Sequence, residues 1–546
     1  MNGSIILLVI VIYFATLLFI SWLTGRKKSG TNNDAFFLGN RRSPWYIVAI
    51  AMIGTSLSGV SFVSVPGWVR STDMTYMQMV LGFFVGYIVI ANILLPLYYR
   101  LQLTSIYEYL NERMGRKSYK TGASFFLLSK ILGAAARLYL VVLILQTYVF
   151  DQWNIPFVVT AAASVMLVWL YTFRSGIKTI IWTDTLQAIC LIAMLITIIW
   201  QIKNHMNLDF AGMVKTITDS PHFHIFEFDD WSSKQHFVKQ FFSGVFTAIV
   251  MTGLDQDMMQ KNLTCRSLKD AKKNMYTYGL AFTPINFLFL SLGILLVTLA
   301  TQMNIELPAS GDDILPMFCT SGILGPSIII FFTIGIIAAA FSSADSALTA
   351  LTTSFCVDIL DIKESDATKA KRTRQRVHIL MSVVFIFIIL LFKAVNERSV
   401  IDAIYTIASY TYGPLLGLYV FGLFTKYKVH DKSVPFICLI SPAICLSIDL
   451  LLKHYTSYRM GYEILMINGL LTFIGLFLAS NRKFVSGKPC GNVSGSDNSI
   501  KYFCYLNKHH VSGFCSVFFV NNVYFIKVQH QKGNTAQPCR AMGKTA

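Results

Sequence analysis

Charged residues are scarce in this 546-residue chain: Asp, Glu, Lys and Arg together make up only 14% of it, whereas 54% is hydrophobic. This composition excludes an ordinary water-soluble domain, in which about a quarter of the residues are charged. Apolar runs of about twenty residues, the length that a helix needs to cross a bilayer, recur from end to end. The sequence therefore predicts an all-α, polytopic membrane protein.

The sequence also lacks paired-cysteine motifs and cofactor-binding motifs. The ten Cys residues are scattered and include no CxxC pair, which argues against a disulfide framework and against a zinc site. We find no nucleophile with a paired base, no cofactor fingerprint and no metal constellation, so we expect neither an enzyme nor a bound cofactor. The net charge of +18 arises from Lys and Arg in short blocks between apolar runs. Such blocks indicate membrane topology rather than binding of nucleic acid.

We predict thirteen spans of the cell membrane, with the N-terminus outside. The first span has no basic segment before it and is therefore not a cleaved signal peptide. Alternate connections carry 26 Lys and Arg on one side of the membrane and 7 on the other, which places residue 481 in the cytoplasm. The spans are 3–23, 45–68, 76–99, 121–149, 155–173, 179–201, 237–255, 275–301, 324–358, 377–395, 401–425, 433–452 and 461–480.

The ninth span carries a polar stripe within an apolar helix. Its spacing puts five side chains on one helix face: Ser342, Asp345, Ser346, Thr349 and Thr353. A carboxylate in hydrocarbon is costly unless it meets a partner, so Asp345 marks a functional site. Alternatively, the hydroxyls bond to their own helix or pack against a neighbouring one.

The second span contains GTSLSGVSFVSVPG, residues 54–67, in which small residues, hydroxyls and a proline interrupt the apolar helix. A helix that is broken here can offer unpaired carbonyls to a cation near the middle of the membrane. The alternative is an intact packing face of small residues with a kink at Pro66.

Further ionisable groups lie in the fourth and sixth spans. Lys130 can extend to the inner surface, whereas Arg137, on the same helix face, needs an anion from the protein or from a substrate. Asp184, which shares a helix face with Gln187, is either a cap at the cytoplasmic surface or an ion ligand. The charged stretch 253–274 is by itself typical of a solvated connection.

Seven motifs, in order over about residues 1–480, resemble the sodium/solute symporter family of sugar, proline, iodide and sialic acid carriers. They are DAFFLGNRRSPWY (34–46), TSLSGVSF (55–62), LQLTSIYEYLNERMG (101–115), WTDTLQ (182–187), DQDMMQKN (255–262), AAAFSSADSAL (338–348) and YGPLLGLYVFGLF (412–424). The resemblance implies a sodium-coupled secondary active importer of a small polar organic solute that works by alternating access. It also implies a LeuT-type fold of two inverted five-helix repeats, about 45–201 and 237–425, with the site where the broken second and seventh spans cross.

The resemblance also implies sodium ligands at particular residues. One sodium would be held by oxygens of Gly54, Leu57, Ala339, Ser342 and Ser343. A second site, similar to that of the sialic acid carriers, would use Asp184, Ser342, Asp345 and Ser346. Asp345 departs from the family pattern, which has a serine there, and would either add a second carboxylate to this site or pair with Arg137.

A polar substrate pocket is implied as well, without a named ligand. Its hydroxyl and aromatic positions fall on Ser56, Ser58, Ser61 and Tyr76. The intramembrane Arg of the acidic-sugar carriers would fall at Gly133, one helical turn from Arg137, and their substrate-binding Gln would fall at Val80. Because a planar guanidinium suits a carboxylate, we expect Arg137 to favour an acidic sugar or another carboxylate.

The alternative function is a membrane nutrient sensor with a symporter-like binding core, whereas a channel is disfavoured because no pore motif repeats. Residues 481–546 contain nine basic residues and one acidic residue, with neither a helical period nor a long apolar run. We expect a disordered, basic cytoplasmic tail there, to which no role can be assigned. Its Cys and His spacing fits no zinc pattern.

Overall fold

The computed structural model describes residues 3–26, 39–172, 177–362, 367–395, 400–456, 458 and 460–484, which form eighteen α-helices and two short strands. The helices are α1 (Gly3–Arg26), α2 (Trp45–Ser56), α3 (Gly59–Thr72), α4 (Tyr76–Leu101), α5 (Glu108–Arg113), α6 (Arg116–Leu145), α7 (Phe157–Thr172), α8 (Ile177–His205), α9 (Phe210–Thr218), α10 (Phe237–Gly253), α11 (Gln256–Asn262), α12 (Leu268–Gln302), α13 (Ile314–Thr320), α14 (Pro326–Ile359), α15 (Ala367–Val395), α16 (Val400–Phe424), α17 (Val434–Tyr455) and α18 (Ile464–Leu478).

The described helices account for each of the thirteen predicted spans. By length and composition, eight helices can cross a membrane singly, and two bent helix pairs can each form one further span. Three shorter apolar helices, Leu8–Ile20, Phe157–Thr172 and Ile464–Leu478, lie at the remaining predicted positions. The prediction of an all-α, polytopic membrane protein is confirmed.

Two spans are each broken into two helices. Helices α2 and α3 meet at 60°, and helices α10 and α11 meet at 68°. In the first pair, the Ser58 N–H donates to the Ser56 carbonyl at 3.0 Å, so it does not bond to the Gly54 carbonyl as it would in a continuous helix. Pro66 lies inside α3, well beyond the break. The predicted broken helix is confirmed, and the alternative of an intact span kinked at Pro66 is wrong.

The second broken span corrects the interpretation of residues 253–274. The Asp255 carboxylate caps α11 by accepting from the backbone N–H groups of Asp257, at 2.9 Å, and Met258, at 3.3 Å. Gln256 and Lys261 of α11 are fully buried. The first part of this stretch is therefore the second helix of a broken span and not a solvated connection.

Helices α4 and α10 pack through two reciprocal glycines. A Cβ atom on Gly82 would overlap the Phe241 carbonyl oxygen, and a Cβ atom on Gly244 would overlap the Met79 carbonyl oxygen. The absence of a side chain lets the two backbones approach closely, as in other membrane helix pairs. This contact fixes the broken span α10–α11 against the helix that follows α3.

The described chain ends in a strand. β1 (Tyr427–Val429) pairs antiparallel with β2 (Ser480–Phe484), so the first residues of the predicted tail belong to a two-stranded sheet. Residues 485–546, the rest of that predicted tail, lie outside the described residues. Lys27, Lys28, Arg174 and Lys363 of the predicted basic connections lie outside them too.

Candidate functional site

The polar stripe of α14 is buried. Ser342, Asp345, Ser346, Thr349 and Thr353 are each at most 4% exposed. Thr353 donates to the Thr349 carbonyl at 2.8 Å, so bonding to the helix itself accounts for this hydroxyl. The three residues nearer the middle of the helix instead bond to side chains of other helices, and these contacts form the site.

Asp184 of α8 is the carboxylate around which these helices meet. Its Oδ1 accepts from the Ser342 hydroxyl at 2.7 Å, and its Oδ2 accepts from the hydroxyls of Ser346 and Thr55, both at 3.1 Å. Asp184 is 0% exposed, so it is not a cap at the membrane surface. The structure thus brings together three of the four residues of the predicted second sodium site.

Lys261 of α11 enters the same cluster, and its ammonium lies among oxygen atoms. The Nζ atom is 2.7 Å from Asp184 Oδ2 and 2.7 Å from Ser346 Oγ, to which it donates. It also donates to Thr55 Oγ1 and lies 3.6 Å from Asp257 Oδ1. Lys261 is 0% exposed. By sequence Lys261 belongs to a charged connection, so it is not among the predicted site residues.

Asp345, the fourth residue of the predicted second sodium site, has a different partner. Its Oδ2 accepts from the Tyr171 hydroxyl at 3.0 Å, while its Oδ1 has no hydrogen-bond partner among the described residues. Within the same residues, no carboxylate forms an ion pair with Arg137. The alternative of an Asp345–Arg137 pair is therefore wrong for this conformation.

The predicted first sodium site spans the break of α2–α3 and the middle of α14. Its residues are Gly54 and Leu57 on one side and Ala339, Ser342 and Ser343 on the other. Ser343 Oγ donates to the Thr55 carbonyl at 3.2 Å and so joins the two elements. A Cβ atom on Gly54 would lie only 2.7 Å from the Asp184 carbonyl oxygen, so glycine lets α2 approach α8 closely. Ser342 directs its hydroxyl proton to Asp184, which leaves the oxygen lone pairs for a hard cation.

A second buried ion cluster lies beside the first. Lys130 Nζ is 3.1 Å and 3.0 Å from the two carboxylate oxygens of Asp255 and 2.8 Å from Asp257 Oδ2. The Tyr412 hydroxyl donates to Asp255 Oδ2 at 2.8 Å. Because Lys130 is 6% exposed and its ammonium contacts three carboxylate oxygens, the prediction that it extends to the membrane surface is wrong.

One cavity of about 100 Å³ is lined by all five residues of the predicted substrate pocket, Ser56, Ser58, Ser61, Tyr76 and Arg137. Two tyrosines extend this polar lining: Tyr405 OH lies 2.9 Å from Tyr76 OH, and Tyr278 OH lies 2.6 Å from Ser56 Oγ. The sequence does not predict either tyrosine as a site residue, because an aromatic residue within an apolar span is usually a packing residue. Lys130 and Asp255 also line the cavity, so the second ion cluster forms part of its wall.

Residues 36–431 match the model of the sodium:solute symporter family. The chain belongs to this family. The sodium/sialic acid symporter SiaT of Proteus mirabilis is 26% identical over 76% of this chain and 83% of its own length. The sodium/sialic acid symporter NanT of Aliivibrio fischeri is 24% identical over 73% and 79%. The human sodium-coupled monocarboxylate transporter 2 is 26% identical over 48% of this chain and 43% of its own.

Solved structures show the same fold. A substrate-bound, outward-open Na⁺-coupled sialic acid symporter superposes with a TM-score of 0.74 at 21% identity, over 87% of this chain and 99% of that one. The nucleobase-cation symporter Mhp1 in a closed conformation superposes with a TM-score of 0.53 at 13% identity, over 82% and 95%. The expected family and LeuT-type fold are thereby confirmed, and this family member is a multi-pass membrane protein.

The family motif DQDMMQKN contained the signal for the missed lysine. It supplies Asp255, Asp257 and Lys261, which are three of the buried charges described above. Because residues 255–262 match a motif of the transporter family, they could have been predicted to lie at the site. The sequence alone gave it no partner, because Asp184 lies in a different span.

Proposed function

We propose that this symporter imports an acidic sugar or another small carboxylate together with sodium by alternating access. The observation that carries the proposal is Arg137, whose guanidinium lines the cavity without an ion pair to any described carboxylate. Inside a membrane protein such a cation requires an anion. A planar guanidinium can bind a carboxylate through two parallel hydrogen bonds.

The remaining cavity wall fits a polyhydroxylated anion. The hydroxyls of Ser56, Ser58 and Ser61 and the phenols of Tyr76 and Tyr405 can each donate or accept. A few polar groups among apolar walls are typical of a small-molecule site. The relatives are named for sialic acid and for monocarboxylates, both of which are carboxylic acids.

Replacing Arg137 with glutamine should weaken the binding of a carboxylate by about 2 kcal/mol, or roughly thirtyfold, because a charge-assisted hydrogen bond is lost. The measurement is stabilisation of the purified protein in sodium by a panel of sugar acids and by their neutral counterparts. The matched control is Arg116→Gln on the same helix, where the guanidinium pairs with Asp361 at an exposed end. Equal stabilisation by neutral and acidic members of each pair would contradict the proposed substrate class.

Sodium would be held by oxygens of Gly54, Leu57, Ala339, Ser342 and Ser343, at the junction of the broken span with α14. Each sodium ion that enters gains about 2.3 kcal/mol per 100 mV of membrane potential. A tenfold concentration gradient adds about 1.4 kcal/mol. Coupling to this ion can therefore drive accumulation of the solute.

Ser342→Ala and Ser343→Ala should each raise the sodium concentration for half-maximal uptake about tenfold, because each removes one oxygen ligand worth about 1.4 kcal/mol. Uptake of radiolabelled solute into proteoliposomes over a sodium series, with choline as the replacement ion, measures this. Ser291→Ala is the matched control, since that hydroxyl donates only to the Phe287 carbonyl of its own helix. An unchanged sodium dependence in both site variants would rule out the assigned site.

We also propose that the protein lies in the cell membrane with its N-terminus outside, as the distribution of Lys and Arg indicates. The two inverted repeats would then be about 45–201 and 237–425, each beginning with a bent span. An impermeant thiol reagent should label Lys215→Cys in intact cells and Lys269→Cys only after permeabilisation. The reverse pattern would overturn the orientation.

A further inference from the structure

The clearest feature that the proposed function leaves unused is Lys261, whose ammonium lies in a cage of oxygens. Its three N–H donors have three acceptors within hydrogen-bond distance, in Asp184, Ser346 and Thr55. A fourth oxygen, of Asp257, is 3.6 Å away. These oxygens come from four different elements, α2, α8, α11 and α14, so the cation is placed where the broken spans meet the straight ones.

This cage uses residues that the family resemblance assigns to a second sodium ion. Asp184 and Ser346 were predicted as sodium ligands, yet Asp184 Oδ2 and Ser346 Oγ are both bonded to the ammonium. Of the other two predicted ligands, Ser342 donates to Asp184 and Asp345 accepts from Tyr171. A sodium ion at the same oxygens would lie close to a like charge that cannot leave, because Lys261 is covalently fixed and fully buried. The residues present therefore do not fit a second sodium.

We propose that the Lys261 ammonium is a tethered cation that takes the place of a second coupling ion, so that each chain binds one sodium ion. Lys261 neutralises Asp184 throughout the cycle, and only the ion at the first site is exchanged with solution. Ser342 links the two positions, since its hydroxyl donates to Asp184 while its oxygen belongs to the first sodium site. The tethered charge thereby also orients a sodium ligand.

The count of bound sodium ions in the unmodified protein tests this inference directly. Equilibrium binding of radiolabelled sodium to purified, detergent-solubilised protein should saturate at one ion per chain, with a Hill coefficient near one. Saturation at two ions per chain would overturn the proposal. The inference rests on the proposed sodium coupling but not on the solute, because the assay contains none. An error in the substrate class therefore leaves the sodium count unchanged.

Substitutions of Lys261 give the second test. Lys261→Met removes the charge at similar length and leaves the Asp184 oxygens without a cation, so sodium binding should rise to two ions per chain. Lys261→Arg keeps the charge and should still bind one. A folded Lys261→Met protein that binds a single sodium would contradict the tethered-cation role.

A third variant covers the case in which Lys261→Met does not fold. Lys261→Met combined with Asp184→Asn removes both charges of the pair and keeps an oxygen to accept from Ser342. This double variant should fold and bind one sodium ion. Binding of two ions by this neutral pair would show that the second ion needs neither charge, which would overturn the proposal.

Discussion

Replacing Lys130 with methionine is expected to lower the free energy of unfolding by about 4 kcal/mol, because it leaves buried carboxylates without their cation. Lys130 lies between Asp255 and Asp257, with all its contacts at 2.8–3.1 Å. Removal of one partner of a buried pair costs far more than the pair itself contributes. The yield of monodisperse protein after a series of heating steps in detergent measures the loss.

The same substitution at Lys120 is the matched control on the same helix. Lys120 Nζ is 3.1 Å from Asp361, but the two side chains are 38% and 34% exposed. An ion pair with this exposure contributes at most about 1 kcal/mol. Lys130→Met combined with Asp257→Asn should recover part of the lost stability, since one uncompensated charge is then removed. Equal heat resistance of the Lys130 and Lys120 variants would show that the buried cluster does not stabilise the fold.

Gly244→Ala should destabilise the protein by about 3 kcal/mol, at the upper end of the overpacking range. The added methyl group would overlap the Met79 carbonyl oxygen, which is backbone of α4 and cannot rotate away. Helices α4 and α10 would have to separate, and both contribute residues to the cavity wall. Heating in detergent again gives the measurement, and solute-induced stabilisation should fall in parallel.

Gly133→Ala on α6 is the control for this prediction. A Cβ atom at Gly133 would meet nothing within 4 Å, so the same methyl group fits. Because alanine is about 1 kcal/mol better than glycine in a helix interior, this variant should unfold at a slightly higher temperature. If Gly133→Ala were as destabilised as Gly244→Ala, close approach of the two backbones could not be the cause of the loss at Gly244.

Features that depend on a single segment could be predicted from the sequence. The break of the second span at Leu57 and Ser58 could be predicted because small residues and hydroxyls interrupt an apolar run. The polar face of α14 followed from helical spacing, and Arg137 was placed in a pocket that the structure contains. The tyrosines that complete this pocket, Tyr278 and Tyr405, could not be distinguished from packing residues, since their role depends on which hydroxyls face them.

The sequence could not show which charged residues pair with one another. Lys130 bonds to Asp255, 125 positions away, and Lys261 bonds to Asp184 of another span. A lysine in a short charged stretch has the same local sequence pattern whether it is solvated or buried. A buried lysine is stable only when distant segments bring carboxylates to its ammonium group.

The sequence by itself determined the order of the apolar helices, the position of the first break and the polar stripe, because hydrophobicity and helical periodicity are local properties. Only the tertiary structure decided which cation meets Asp184. In the structure, the Lys261 ammonium lies where a sodium ion was expected, and the Asp345 carboxylate accepts a hydrogen bond from the Tyr171 hydroxyl. The physical reason is that a buried ion is selected by the oxygens of several helices at once, and those oxygens converge only when the helices pack.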